Sequence, residues 1–202
     1  VIEILIAMYR SVDCEQIKIG SASRSRVIVS KGHCAAATYA VLSEFGLLES
    51  EYLESYHKDN SFLAGHVSHK VPFVEHSTGA LGHGINVAVG CAIGLRSRQN
   101  YESKVLTLVG DGEIQEGSVW EAIMLVGHMQ LPNFVLLVDN NQISSIRRTC
   151  DVINLQPLSE KFDAFGLLTY EVDGHSIDQI CTAIKEIGVS SRPGVVICNT
   201  TK

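Results

Sequence analysis

Two short polar runs, each closing an apolar run, hold the residues best suited to chemistry. Gly110-Asp111-Gly112-Glu113 follows Val105 to Val109. Asp139-Asn140-Asn141-Gln142-Ile143 follows Phe134 to Val138. Asp111 offers a carboxylate and Asn141 an amide oxygen. The main-chain carbonyls just after Asn141, that of Ile143 among them, are free once the strand has ended. Such hard oxygens form half a site for Mg²⁺, which takes its remaining ligands from water and a phosphate; Ca²⁺ accepts the same donors. Gly110 and Gly112 let a bulky anion approach the backbone. A helix pattern from about Glu116 to Gln130 would aim its first N–H groups at the same place, which favours phosphate. A metal-bridged diphosphate suits these residue types. A bare Gly-Asp-Gly turn is also an ordinary strand end. The asparagine thirty positions on, beyond the next strand, separates the two readings.

Those residues can meet only if strand, turn, helix and strand form one parallel unit. The exits of adjacent strands then lie side by side, where open α/β sheets bind ligands. The rest of the chain repeats the alternation. A helix pattern opens the chain at Ile2, Leu5, Ile6 and Tyr9. Cys14 to Arg26 reads as loop and Arg26 to Ser30 as strand. Lys31-Gly32-His33 is a turn into an Ala-rich helix from Cys34 to Phe45. Glu49 to Lys58 suggests a short charged helix, and Phe62 to His76 a loop. Ser77-Thr-Gly-Ala-Leu-Gly-His-Gly84 feeds a helix to about Arg98, where Ala88, Gly90, Ala92 and Gly94 permit close packing. Ser144 to Pro157 looks irregular, and Leu158 to Phe165 helical. Leu167 to Val172 is a strand, Ser176 caps a helix from Ile177 to Ile187, and Val195 to Cys198 is the last strand. This predicts an α/β fold, one domain over 1–202, with a parallel sheet covered by helices on both faces.

Composition narrows the partners. The 202 residues are 46% hydrophobic and 19% charged, with a formal net charge of −6. With no basic run, that argues against nucleic acid or an anionic membrane as partner. The six cysteines are scattered without metal-ligand spacing, which predicts reduced thiols and a cytoplasmic setting. The longest apolar stretch, near Ile85 to Leu95, is too short to span a bilayer.

The run GDGEIQEGSVWEA, with its later asparagine, resembles the thiamine diphosphate motif of transketolases, and the likeness extends over nearly the whole chain. It is similar in particular to the separately encoded N-terminal, diphosphate-binding half of a split transketolase. The resemblance implies Mg²⁺-thiamine diphosphate as cofactor and transfer of a two-carbon ketol unit from a ketose to an aldose. It implies Asp111, Asn141 and Ile143 as metal ligands, with Gly110, Gly112 and Glu113 close to the cofactor. His33, in Ser30-Lys-Gly-His33, matches the family's SxGH segment and is implied near the diphosphate and reaction centre. His66, in Leu63-Ala-Gly-His66, matches the PGH segment that contacts the donor sugar. Gly79, Ala80 and Leu81 match the turn whose main chain contacts the cofactor's rings. Glu116, and more weakly Glu121, are implied to link paired active sites across a dimer interface.

Departures stand beside the likeness. Ala80 replaces a common proline and His83 a common glutamine. Ser145-Ile146-Arg147 replaces a common Ile-Asp-Gly stretch. The pyrimidine-binding and C-terminal domains of the family have no room in this chain. The resemblance therefore implies a C-terminal partner subunit, assembly into a heterotetramer, and sugar phosphate or related ketose and aldose substrates. Other readings stay open: a component of a deoxyxylulose-phosphate synthase-like or dehydrogenase E1 alpha-like enzyme, or a non-catalytic module that binds cofactor or partner.

Overall fold

The computed structural model describes residues 1–202. Five strands form one parallel sheet: β1 (Arg26–Val29), β2 (Val105–Gly110), β3 (Phe134–Asn140), β4 (Leu168–Asp173) and β5 (Gly194–Asn199). Their order across the sheet is β1-β2-β3-β5-β4. β2 and β3 are buried at every residue. That explains their unbroken apolar runs, since a central strand of a doubly covered sheet has no wet face.

Alternate strand residues feed two cores. Val27, Val29, Leu106, Leu108, Val135, Leu137, Val196 and Cys198 pack with α1 (Ile2–Arg10), α3 (Ala35–Glu44) and α8 (Ile177–Val189). Ile28, Val105, Val109, Leu136, Val138, Val195 and Ile197 pack with α4 (Gly84–Ser97), α5 (Gly117–Met129) and α7 (Leu158–Ala164). This is the two-faced parallel α/β architecture expected from the alternation. On α4, Ala88 and Ala92 are buried against the sheet, while Gly90 and Gly94 face open space. The small-residue positions thus divide between two sides of the helix.

Some elements differ from the reading above. The segment expected as loop after Cys14 begins with a five-residue helix, α2 (Cys14–Lys18). The carboxylate of Asp13 caps it by accepting from the N–H groups of Glu15 and Gln16. The segment after Glu49 is a 3-10 turn over Ser50–Ser55 rather than an α-helix. Ser144 to Pro157 contains a four-residue helix, α6 (Thr149–Val152). These pieces are too short for a 3.6-residue period to register.

All six cysteines are free. Burial pushes the Cys34 thiol up to about 11 and the Cys198 thiol up to about 12, whereas Cys150 is exposed. Brief treatment of the native chain with iodoacetamide should alkylate Cys150 first and spare Cys34 and Cys198. Peptide mass spectrometry reads this directly, and early labelling of Cys198 would contradict the buried β5.

No helix is long and apolar enough to cross a membrane.

Candidate functional site

Parallel register brings the two polar runs together. Gly110 pairs with Asp139, and the Asp111 N–H donates to the Asp139 carbonyl at 3.2 Å. One carboxylate oxygen of Asp111 accepts from the Gly112 N–H at 2.9 Å. Asp111 thus lies against the end of β3 and shares a cavity wall with Gln142. Asn141 folds its amide oxygen back to accept from the Ile143 N–H at 3.0 Å, an Asx turn that holds side chain and following backbone on one side. A cavity of about 70 Å³ opens beside Asp111, with Gln115, Gln142, Thr149 and Cys150 in its wall.

The other oxygen of Asp111, Oδ2, is buried with no partner. Burial raises the acid's pKa, against the pull of its main-chain bonds and of Lys31. A buried anionic oxygen without a partner is costly unless a cation meets it. No group of three His, Cys, Asp or Glu side chains is placed to hold a metal. The donors present are instead one carboxylate, one amide and the main-chain carbonyl of Ile143, since the Gln142 carbonyl, expected to be free, accepts from the Thr149 N–H at 3.0 Å. That set fits Mg²⁺ shared with a diphosphate and does not fit a closed protein cage.

Glu113 is placed differently from the ligand contact expected of it. It is 2% exposed and its oxygens are taken within the protein. Oε1 accepts from Ser30 Oγ at 2.5 Å and the Gly82 N–H at 2.9 Å; Oε2 accepts from the Gly110 N–H at 3.2 Å. Ser30 Oγ in turn accepts from the Ile85 N–H at 3.1 Å. One carboxylate thus ties the exits of β1 and β2 to the Gly-rich turn. It sits at the head of a 3-10 turn over Glu113–Gln115, so that α5 starts only at Gly117. The α5 N-terminus packs against the Gly-rich turn, where Ser118 Oγ donates to the Gly82 carbonyl at 3.1 Å.

The turn after β1 and the Gly-rich turn lie backbone on backbone. A Cβ on Gly32 would sit 2.8 Å from the Thr78 carbonyl carbon, and one on Gly84 2.6 Å from the Ser30 Cα. His66 closes over the same place, its ring 3.6 Å from where a Gly79 Cβ would be. His33 and His66 are both exposed, as are Gly79, Ala80 and Leu81. His33 has its pKa lowered by burial and then by the positive charge of Lys31. The imidazole is therefore held neutral, able to accept a proton or a hydrogen bond. Glu116 and Glu121 are exposed at the start of α5, and Glu116 makes no side-chain cap bond. His83, Ser145, Arg147 and Arg148 are exposed too.

Lys31 and Asp139 carry no role in the motifs above. Their side chains form a buried ion pair at 2.5 Å. They come from the exits of β1 and β3, which are not neighbours, so Lys31 must cross β2. It does so over Gly110, where a Cβ would lie 3.5 to 3.7 Å from the lysine stem. Asp111, Glu113 and Asp139 are buried together with Lys31 as the neighbouring cation. The edge is short of positive charge, which a divalent ion offsets.

Comparison with known proteins shows the family and the fold. Residues 2–202 match the family model "Transketolase, thiamine diphosphate binding domain". The chain is 38% identical to a subunit of the apulose-4-phosphate transketolase of Actinobacillus succinogenes, covering 100% of this chain and 73% of that protein. It is 31% identical to the 6-deoxy-6-sulfo-D-fructose transketolase subunit SqwG of a Clostridium species, covering 99% and 74%. It superposes on the transketolase of Pichia stipitis in complex with sedoheptulose 7-phosphate, with a TM-score of 0.86 and 30% identity. That match covers 96% of this chain and 31% of the other.

Proposed function

Because the chain belongs to the transketolase N-terminal, thiamine diphosphate-binding family, we propose that it is the diphosphate-binding subunit of a split transketolase, moving a two-carbon ketol unit from a ketose to an aldose with a second subunit. The observation that carries this reading is the buried, half-unpartnered Asp111 at the β2 and β3 exits. Relatives that match almost the whole chain are themselves named as transketolase subunits.

Asp111, Asn141 and the Ile143 carbonyl would hold Mg²⁺ against the diphosphate. Thiamine diphosphate, when bound, supplies the carbanion chemistry of ketol transfer. The chain's own residues do the rest. Glu113 holds the turn after β2 against the Gly-rich turn, so that both would face the diphosphate as one wall. The exposed main chain of Gly79, Ala80 and Leu81 is free to contact the rings. Neutral His33 would accept a hydrogen bond or a proton from the bound substrate, and His66 would contact the donor's hydroxyls. Glu116 and Glu121, exposed at the start of α5, suit contact with another protomer. We place the assembly in the cytoplasm as a heterotetramer acting on sugar phosphates or related ketoses.

The test is calorimetric titration with Mg²⁺ and thiamine diphosphate, followed by a transfer assay with the second subunit present. Magnesium-dependent binding and transfer from a ketose donor are expected. Activity with pyruvate and none with a ketose would favour a synthase or dehydrogenase component. Absence of cofactor binding with and without the second subunit would overturn the reading.

A further inference from the structure

We propose that Asp139 and Thr200 are positioning residues: together they steer the chain leaving β5 across the mouth of the diphosphate site. This rests on the reading of the site given above. An ordinary strand exit is held by ladder hydrogen bonds alone. Here bonds from several elements converge on residues 199–201. Asp139 is 3% exposed and uses both oxygens. Oδ2 meets Lys31, and Oδ1 accepts from Thr200 Oγ1 at 2.5 Å. The Thr200 N–H donates to the Asn140 carbonyl at 3.2 Å, and Asn140 Nδ2 donates to Asn199 Oδ1 at 2.7 Å.

The turn after β4 closes from the other side. The Gly174 N–H donates to the Asn199 carbonyl at 2.8 Å. A Cβ on Gly174 would collide with Thr200 Cγ2 and sit 2.9 Å from the Asn199 carbonyl oxygen, so only glycine admits this approach. The Thr201 N–H donates to His175 Nε2 at 3.0 Å, and His175 Nδ1 lies 3.2 Å from a carboxylate oxygen of Glu3. Lys202 then reaches the Ser144 carbonyl at 3.2 Å. The segment therefore runs from β5 past the end of β3 to the loop after Asn141. Its direction is set by Thr200, whose hydroxyl is fixed by an Asp139 carboxylate that Lys31 anchors. Asp139 is buried, and both residues act through the segment they direct.

The experiment compares wild type, Thr200→Val and Thr200→Ser. Valine keeps the shape and loses the hydroxyl, and serine restores the hydroxyl. Amide hydrogen exchange at Thr201 and Lys202 is measured on the chain by NMR, and affinity by titration with Mg²⁺ and thiamine diphosphate. In Thr200→Val, exchange at Thr201 and the cofactor's dissociation constant should each rise about tenfold, the worth of one hydrogen bond to a charged group. The thermal midpoint should fall by no more than a few degrees, the scale of one lost bond in a domain of this size, and serine should restore both readings. Unchanged exchange at Thr201 overturns the proposal. So does raised exchange with unchanged affinity, or a loss spread over the whole chain. If wild type itself binds no cofactor, the site reading fails, and the exchange comparison still decides whether Thr200 directs the segment.

Discussion

Asp111→Ala should weaken magnesium-dependent binding of thiamine diphosphate by at least about a hundredfold, the scale of losing support at a metal site, while leaving the fold intact. The variant deletes the carboxylate whose Oδ2 has no protein partner, so little within the chain depends on it. It forfeits the bond from the Gly112 N–H. It also removes a buried negative charge, and these effects oppose each other.

The sign with pH follows from burial, which raises the folded-state pKa of Asp111. Its contribution to stability is present below the ordinary carboxylate range. It is lost as pH rises through the raised value, because the folded state then carries an unpaired charge. Without metal at neutral pH, Asp111→Ala should therefore melt at or above the wild-type temperature. With saturating Mg²⁺ and thiamine diphosphate, wild type should melt higher, because ligand bound to the folded state stabilises it. Paired thermal scans with and without ligand check both halves. Wild-type affinity in the variant would remove Asp111 from the metal site.

Lys31→Met should destabilise the chain by about 3–5 kcal/mol, the effect of stranding one member of a buried ion pair. Asp139 would be left at 3% exposure with only the Thr200 hydroxyl as side-chain partner. Lys31→Met with Asp139→Asn should recover much of that loss, because asparagine still accepts from Thr200 and carries no charge. Urea unfolding of the two single variants and the double variant measures the coupling.

The pH dependence separates this pair from Asp111. Burial pushes Asp139 up, but the charge of Lys31 and the bonds from Lys31 and Thr200 outweigh it and hold the pKa low. That stability is present above the ordinary carboxylate range and is lost as pH falls through the lowered value. Wild type should lose it in acid, and Lys31→Met should show a flatter acid limb. A variant as stable as wild type at neutral pH would mean that the pair contributes nothing.

The features legible in the chain are those whose cause is local. Unbroken apolar runs at Val105 to Val109 and Phe134 to Val138 mark strands buried on both faces. The alternation with helices prescribes parallel pairing and one shared ligand edge, which β2 and β3 form. Ser176 caps α8 as its residue type requires, its side chain accepting from the Gln179 N–H. That the two polar runs meet at one edge was legible because register in a parallel sheet follows from the unit itself.

What the chain order leaves open is what lies across the sheet. Strand order β1-β2-β3-β5-β4 brings Lys31 to Asp139 over Gly110, and Thr200 to the same carboxylate. Glu113 looks in sequence like a ligand beside Asp111, yet it turns inward and binds Ser30, Gly82 and Gly110. The difference is physical. Hydrophobic period and strand exits depend on neighbours in the chain. The partner of a buried charge depends on which distant strand the packed sheet sets beside it.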